Sequence, residues 1–78
     1  MTNVLIYSTS TCHYCHMAKE FFKENHIEYS EKDVGTDMDA RREMIEKTGS
    51  LGVPVIQIGE ETILGFDKKW LQEKLGIK

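Results

Sequence analysis

Two cysteines stand where an apolar segment gives way to a helical pattern, and this junction restricts the fold more than any other feature of the chain. The apolar run at residues 4–7 is typical of a strand buried on both faces of a sheet. Beyond it, apolar side chains recur at Cys15, Ala18 and Phe22, which form one face of a helix over residues 13–25. A buried strand that leads directly into an amphipathic helix predicts an α/β fold, with the first cysteine of the pair at the helix N-terminus.

The middle of the chain predicts an edge strand and a second helix. Ile27 and Tyr29 alternate with polar residues, which is typical of a half-exposed strand. Thr36 followed by Asp39 resembles a capping box at the start of a helix that ends before Gly49. The predicted inward-facing stripe of this helix comprises Met38, Arg41, Met44, Ile45 and Thr48.

The last third of the chain predicts a hairpin. Pro54 precedes a strand at residues 55–58, and the turn residues 59–60 can lead the chain into a strand at residues 62–64. The two strands of such a hairpin are antiparallel, whereas the strands of the first βαβ unit are parallel and joined by a right-handed connection. The sheet is therefore expected to be mixed.

A third helix completes the predicted order βαβαββα. Asp67 can cap this helix and Gly76 can end it. Its apolar side chains are Trp70, Leu71 and Leu75. The helices are expected to flank the sheet, and residues 1–78 are expected to form a single α/β domain.

Composition restricts the partners of this domain. The chain carries 13 acidic and 10 basic side chains, a formal net charge of −3, which disfavours nucleic acid or an anionic membrane as the main partner. It begins without the basic region of a secretory signal and has no apolar run near the ~20 residues of a membrane span. We therefore expect a cytoplasmic protein, and in that reducing compartment a close cysteine pair is more often catalytic or metal-binding than structural.

The motif Cys12-His13-Tyr14-Cys15 predicts a redox-active cysteine pair. Helix residues three apart lie ~5–6 Å from each other, within the Cα–Cα range that a disulfide accepts. The free N–H groups and partial positive charge of a helix N-terminus favour a thiolate at Cys12, whereas Cys15 lies on the buried stripe. We therefore expect Cys12 to attack a substrate disulfide and Cys15 to break the resulting mixed disulfide.

The spacing of the two cysteines is also compatible with three other kinds of site. An inert bridge is disfavoured by the expected reducing compartment. The run Cys12-x-x-Cys15-His16 matches a c-type haem attachment site, but attachment needs export and a haem pocket. A zinc site could use both cysteines with His13 or His16, yet closed zinc sites draw on two separated ligand pairs and the sequence offers one. We therefore expect no bound metal, and we expect His16 to be a solvated helix residue.

With these motifs in order, nearly the whole chain resembles the glutaredoxins of the thioredoxin superfamily, in particular the short glutaredoxin-like redoxins of bacteria. The motifs are residues 4–7 leading to Cys12-His13-Tyr14-Cys15, then Val53-Pro54, then Gly65-Phe66-Asp67. The resemblance implies a thioredoxin fold whose four-stranded sheet has the strand order 2-1-3-4.

The resemblance also implies roles for individual residues. The Val53–Pro54 peptide bond is expected to be cis and to face the cysteines, so that the Val53 backbone can pair with a substrate like an added strand. Tyr14, Arg41, Val53 and Asp67 match the positions at which glutaredoxins contact glutathione. Of these, Arg41 could pair with a glutathione carboxylate.

Several positions depart from the glutathione-binding pattern of the family. Thr9 stands where glutathione-binding members carry a lysine, and Lys68 stands where they carry an acidic or hydroxyl residue, which reverses a charge. Gly52 replaces a threonine, Leu64 replaces the first of two glycines, and His13 replaces a proline. These departures predict weak use of glutathione.

The resulting hypothesis is a monomeric dithiol electron carrier, without a bound cofactor, that reduces protein disulfides or glutathione mixed disulfides. Glutathione, as reductant or co-substrate, or a thioredoxin-reductase-type flavoenzyme would return it to the dithiol state. The alternative is an iron–sulfur carrier that uses Cys12 in a dimer. Visible absorbance of the purified protein distinguishes the two, because a cluster is coloured and a dithiol is not.

His13 is expected to tune the Cys12 thiolate. A proline at this position has no N–H to leave unpaired, whereas histidine brings a titratable ring beside the sulfur. A protonated ring and a neutral ring that donates a hydrogen bond both favour the thiolate, and a stabilised reduced form makes the disulfide a stronger oxidant. His13→Ala should therefore make the reduction potential more negative in a redox titration, and an unchanged potential would show that His13 does not tune the site.

Overall fold

A computed structural model describes residues 3–77, and in this range a four-stranded sheet with the order β2-β1-β3-β4 carries three helices. The strands are β1 (Val4–Ser8), β2 (Ser30–Asp33), β3 (Val55–Ile58) and β4 (Glu61–Leu64), and the helices are α1 (His13–Glu24), α2 (Met38–Thr48) and α3 (Lys68–Leu75). Strand β1 pairs in parallel with β2 and antiparallel with β3, which pairs antiparallel with β4. The predicted element order, mixed sheet and strand order are confirmed.

Side chains that alternate along β1 divide the core between the two faces of the sheet. Val4 and Ile6 pack with α1 and α3, whereas Tyr7 packs with α2. The first cluster comprises Val4, Ile6, Ala18, Phe21, Phe22, Ile56, Ile58 and Leu71, and the second comprises Tyr7, Val34, Ala40, Met44 and Val55. Helices therefore cover the central strand on both faces, as its continuous apolar run predicted.

The second strand begins later than the sequence predicted. After α1, His26 adopts a left-handed φ of 56°, and the Ile27 N–H donates to the Phe22 carbonyl at 2.8 Å. Ile27 and Tyr29 then pack against the core from an irregular connection, and β2 starts only at Ser30. The prediction of a strand from Ile27 is wrong because these two side chains cover the core below the helix end rather than pair with a neighbouring strand.

The N-terminal cap of α2 also differs from the prediction. Asp37 is the N-cap, and its Oδ1 accepts the N–H groups of Asp39 at 3.0 Å and Ala40 at 3.1 Å. The predicted capping box that begins at Thr36 is therefore wrong by one residue. An aspartate is the stronger cap here because its charge also interacts favourably with the positive end of the helix dipole.

The buried face of α2 is narrower than the predicted stripe. Ala40 and Met44 are buried, whereas Met38, Arg41 and Ile45 are exposed. The spacing of the larger apolar residues predicts the wider stripe, but the face that meets the sheet carries Ala40 and Met44. This orientation leaves Arg41 at the surface.

The ends of the helices follow the sequence signals. Gly49 and Gly76 adopt left-handed φ values of 70° and 69° at the C-terminal ends of α2 and α3. Asp67 caps α3 by accepting the Trp70 N–H at 3.1 Å, and Leu71 of that helix is fully buried. Trp70 packs against the core while partly buried. Among the helices described, none is long and apolar enough to cross a membrane.

Replacing the cap of α2 should destabilise the protein more than replacing its neighbour. Asp37→Ala removes the acceptor of two helix N–H groups and should lower the free energy of unfolding by ~1 kcal/mol. Thr36→Ala is the matched control and should change it by less than ~0.5 kcal/mol. Urea unfolding measures both, and a larger effect of the Thr36 variant would contradict the assignment of the cap.

Candidate active site

The sheet topology gathers the predicted motifs at one end of the molecule. Tyr7, near the end of β1, pairs with Val55, the first residue of β3. The chain then leaves β1 towards Cys12 and enters β3 from Pro54, so both segments adjoin the same edge. The Pro54 carbonyl accepts the Gly65 N–H at 2.7 Å, which adds the segment after β4 to this edge.

Cys12 is the N-cap of α1. Its backbone is extended, with φ −83° and ψ 115°, and its Sγ accepts the Cys15 N–H at 3.2 Å. The Cys12 N–H donates to the Thr9 carbonyl at 3.4 Å, which closes the turn between strand and helix. The side chain is partly exposed. A sulfur that caps a helix receives an N–H donor and the positive end of the helix dipole, and both stabilise a thiolate.

Cys15 is fully buried on the face of α1 that meets the sheet. Burial raises the pKa of the Cys15 thiol to about 12, and its interaction with the Cys12 side chain acts in the same direction. A hydrogen bond from the Thr9 backbone and the positive charge of Lys19 act in the opposite direction. Both cysteines are unbridged. The pair therefore combines one accessible sulfur with one that is shielded and protonated.

The other residues of the motif lie outward. The rings of His13 and Tyr14 are in edge-to-face contact, with centroids 5.8 Å apart, and both side chains are exposed. His13 is the first residue of α1 and therefore next to the Cys12 cap, where the sequence placed it. His16 is exposed as expected, but its Nε2 lies 3.0 Å from the Ser10 carbonyl. This hydrogen bond, which the sequence did not predict, ties the helix to the turn before Cys12.

The remaining predicted site residues lie in three places, which are the segment before β3, the N-cap of α3 and helix α2. The Val53–Pro54 peptide bond is cis, as the resemblance implied, with Pro54 buried and Val53 half-buried. The Asp67 carboxylate is already engaged as the cap of α3. Arg41 lies in a shallow surface depression whose lining residues all belong to α2. The binding role that the family resemblance implies for Arg41 stays a prediction.

A polar network beside the cysteines was not predicted from the sequence. Ser8 Oγ donates to Glu31 Oε2 at 2.6 Å, and Lys19 Nζ contacts the same oxygen at 2.7 Å. The available signal was the position of Lys19, four residues after Cys15 and so on the same side of the helix. Glu31, its partner in β2, has no comparable signal in the sequence.

Between residues 3 and 77, no three or more His, Cys, Asp or Glu side chains are grouped as a metal site would require.

The sequence is similar to glutaredoxins over most of its length. The family model described as Glutaredoxin matches residues 4–63. The chain is 42% identical over 65 residues to an uncharacterized glutaredoxin-like 8.6 kDa protein in the rubredoxin operon of Clostridium pasteurianum, which covers 83% of this chain and 87% of that protein. It is 34% identical over 76 residues to glutaredoxin 3 of Escherichia coli K12, with coverage of 97% and 92%.

Solved structures agree with the sequence comparison. The glutaredoxin from Archaeoglobus fulgidus superposes with a TM-score of 0.84 at 26% identity, covering 96% of this chain and 87% of that one. The thioredoxin-like protein BC3987 superposes with a TM-score of 0.86 at 32% identity, covering 92% and 99%. These similarities confirm the predicted thioredoxin fold.

The Cys15→Ala variant should lose less free energy of unfolding at high pH than the native protein. The folded Cys15 pKa of about 12 lies above the ~8.5 of an unfolded cysteine, so the proton contributes stability that is fully present below the unfolded pKa. That stability is lost as pH rises through the folded pKa. The free energy of unfolding of the reduced protein should fall from pH ~8.5 to pH ~12 more steeply than that of Cys15→Ala. Urea unfolding under reductant at a series of pH values measures both slopes, and parallel curves would contradict the raised pKa.

Proposed function

Because the chain belongs to the glutaredoxin family, whose members are thiol–disulfide oxidoreductases, we propose that it reduces protein disulfides through Cys12 and Cys15. The observation that carries the proposal is the asymmetry between the two sulfurs. Cys12 is partly exposed at the start of α1, whereas Cys15 is buried directly behind it. A large substrate can reach only the first sulfur, and the second is placed to react with the first.

The first step forms a mixed disulfide. The Cys12 thiolate attacks one sulfur of the substrate disulfide, an S–S bond forms between Cys12 and the substrate, and the other substrate sulfur leaves as a thiolate that takes a proton from water. The Cys15 N–H, 3.2 Å from the Cys12 sulfur, stabilises the nucleophile before attack. Cys15 remains a thiol during this step because burial raises its pKa to about 12.

The second step releases the substrate. Cys15 gives its proton to water and attacks the Cys12 sulfur, an S–S bond forms between the two cysteines, and the second substrate sulfur leaves as a thiolate. Two electrons have then passed from the protein to the substrate. Exchange of this disulfide with glutathione or with the dithiol of a thioredoxin-reductase-type flavoenzyme restores the reduced state.

The surface around the site supports a protein substrate over glutathione. Tyr14, Leu51 and Leu64 are 59%, 60% and 60% exposed, and they belong to or directly adjoin the segments that meet at this edge of the sheet. Exposed apolar side chains on segments that meet at one edge of the sheet favour contact with another protein. Glutathione is small and charged, and the residues that bind it elsewhere in the family are changed here at Thr9 and Lys68. We therefore propose a monomer that acts on protein disulfides in a reducing compartment such as the cytoplasm.

Single-cysteine variants test which cysteine attacks the substrate disulfide and which one resolves the mixed disulfide. Cys15→Ser should accumulate a mixed disulfide through Cys12 after exposure to a disulfide substrate, because the resolving thiol is absent. Cys12→Ser should be inactive, because the remaining thiol is buried. Mass spectrometry of both variants identifies the adducts. Adducts on Cys15 in the Cys12→Ser protein, with none on Cys12 in the other variant, would reverse the assignment.

Restoring the glutathione-binding pattern should increase turnover of glutathione mixed disulfides. Thr9→Lys with Lys68→Asp returns a cation and an anion to the positions where the family carries them. A coupled assay with glutathione, its reductase and a glutathione mixed disulfide measures the rate, and we expect at least a fivefold increase, which corresponds to ~1 kcal/mol.

The control for the Lys68→Asp half of this design is Lys69→Asp, which makes the same charge change one residue away and should leave the rate unchanged. A native protein that already matches a typical glutaredoxin in this assay would show that Thr9 and Lys68 do not limit glutathione use.

A further inference from the structure

One carboxylate oxygen beside the active site has two donors. Glu31 Oε2 of β2 accepts from Ser8 Oγ at 2.6 Å and from Lys19 Nζ at 2.7 Å. Ser8 is buried at the end of β1, and Lys19 lies on α1. A helix, the central strand and the edge strand therefore meet at this one atom, and the carboxylate that binds the ammonium group is itself held by Ser8.

Lys19 is shielded more than an ordinary surface lysine. Its side chain is 18% exposed, half or less of the exposure of the lysines in the other ion pairs between residues 3 and 77. A lysine loses rotamer freedom and hydration when it is held in this way. Fixing α1 to the edge strand does not by itself require a cation, because an uncharged donor would also bond to Glu31.

Lys19 follows Cys15 by four residues, which places both side chains on the same side of α1. Its positive charge lowers the pKa of the Cys15 thiol, against the larger effect of burial. The Thr9 backbone, directly after the buried Ser8, acts on Cys15 in the same direction. The network of Ser8, Glu31 and Lys19 therefore adjoins Cys15 along both β1 and α1.

We propose that Lys19, held by Glu31 and Ser8, is a positioning residue for the second step, in which its ammonium group stabilises the Cys15 thiolate that attacks the mixed disulfide. This inference rests on the proposed dithiol function. It assigns the activation of the buried Cys15 thiol to a side chain outside the cysteine motif.

The effect of Lys19 on the ionisation of Cys15 acts in the second step, after the mixed disulfide has formed. Once Cys12 is bonded to a substrate sulfur, its thiol and thiolate no longer exist, so their effect on Cys15 ends. Burial then opposes ionisation, and the Thr9 backbone and Lys19 favour it. The proton of Cys15 passes to water, its sulfur bonds to Cys12, and the substrate thiolate leaves. Lys19 stays protonated throughout.

The titratable groups around Lys19 set the sign of the effect. Glu31 on β2, Tyr29 in the connection before it and Cys15 on α1 all raise the pKa of Lys19, so the lysine keeps its charge as pH rises. His16 faces Glu31 and, with Lys19, lowers the pKa of that carboxyl. Loss of the lysine charge should therefore move the second step, and not the first, to higher pH.

Stopped-flow reaction with dithiobis(nitrobenzoate) tests the proposal. This symmetrical aryl disulfide releases one coloured thiolate when Cys12 attacks it and a second when Cys15 resolves the mixed disulfide. Lys19→Met should leave the rate of the first release unchanged and slow the second by about fivefold, the effect of a partly exposed charge interaction of ~1 kcal/mol. Its pH profile for the second release should shift upwards.

Three further variants separate charge from structure. Lys19→Arg should restore the second release, and Lys19→Gln, which keeps a donor for Glu31, should remain slow. Lys23→Met, one helical turn away, should behave like the native protein. An unchanged second release and pH profile in Lys19→Met and Lys19→Gln, or equal slowing by Lys23→Met, would overturn the role of Lys19. A native protein that shows no second release would instead overturn the proposed dithiol function.

Discussion

The packing of one face of α1 against the sheet determines how the two cysteines differ. Ala18 and Phe22 are fully buried on this face, and Cys15 lies on it one turn earlier. A rotation of the helix that exposed Cys15 would also expose Phe22, at a cost of ~1.5–3 kcal/mol for that side chain alone. Cys12 precedes Cys15 by three residues and is the N-cap of the helix. Its sulfur is partly exposed there and accepts a helix N–H.

This arrangement gives the buried cysteine a defined chemical state. A thiol whose pKa is raised to about 12 does not compete for substrate, so the order of the two steps follows from burial rather than from the identity of the residues. The same burial would make resolution slow without a compensating positive charge, which the Lys19 ammonium group, held by Glu31, supplies on that side of the helix. Shielding and reactivity are therefore set by different contacts.

The sequence predicted those features that depend on local pattern. The continuous apolar run of β1, the helical stripe of α1 and the caps at Asp67 and Gly76 each carry a short-range signal, and the structure has them at the predicted positions. The start of β2 could not be read in the same way, because the alternation at Ile27 and Tyr29 arises from packing below a helix end. At the site, the cysteines were identified by spacing and context.

Other features of the structure differ from the sequence prediction or were not predicted at all. Lys19 and Glu31 are joined only after β2 pairs with β1, whereas the cap at Asp37 is a local contact that the sequence signal at Thr36 missed by one residue. Arg41 was predicted on the inward-facing stripe of α2, whereas the observed helix orientation leaves it exposed. Burial and helix rotation are tertiary properties that spacing alone does not define.

Alkylation of the reduced native protein with iodoacetamide at neutral pH, followed by peptide mass mapping, tests the asymmetry of the cysteines most directly. The structure predicts modification of Cys12 alone in the folded protein and of both cysteines after unfolding in guanidinium. Modification of Cys15 in the folded protein at a rate equal to that of Cys12 would contradict the account.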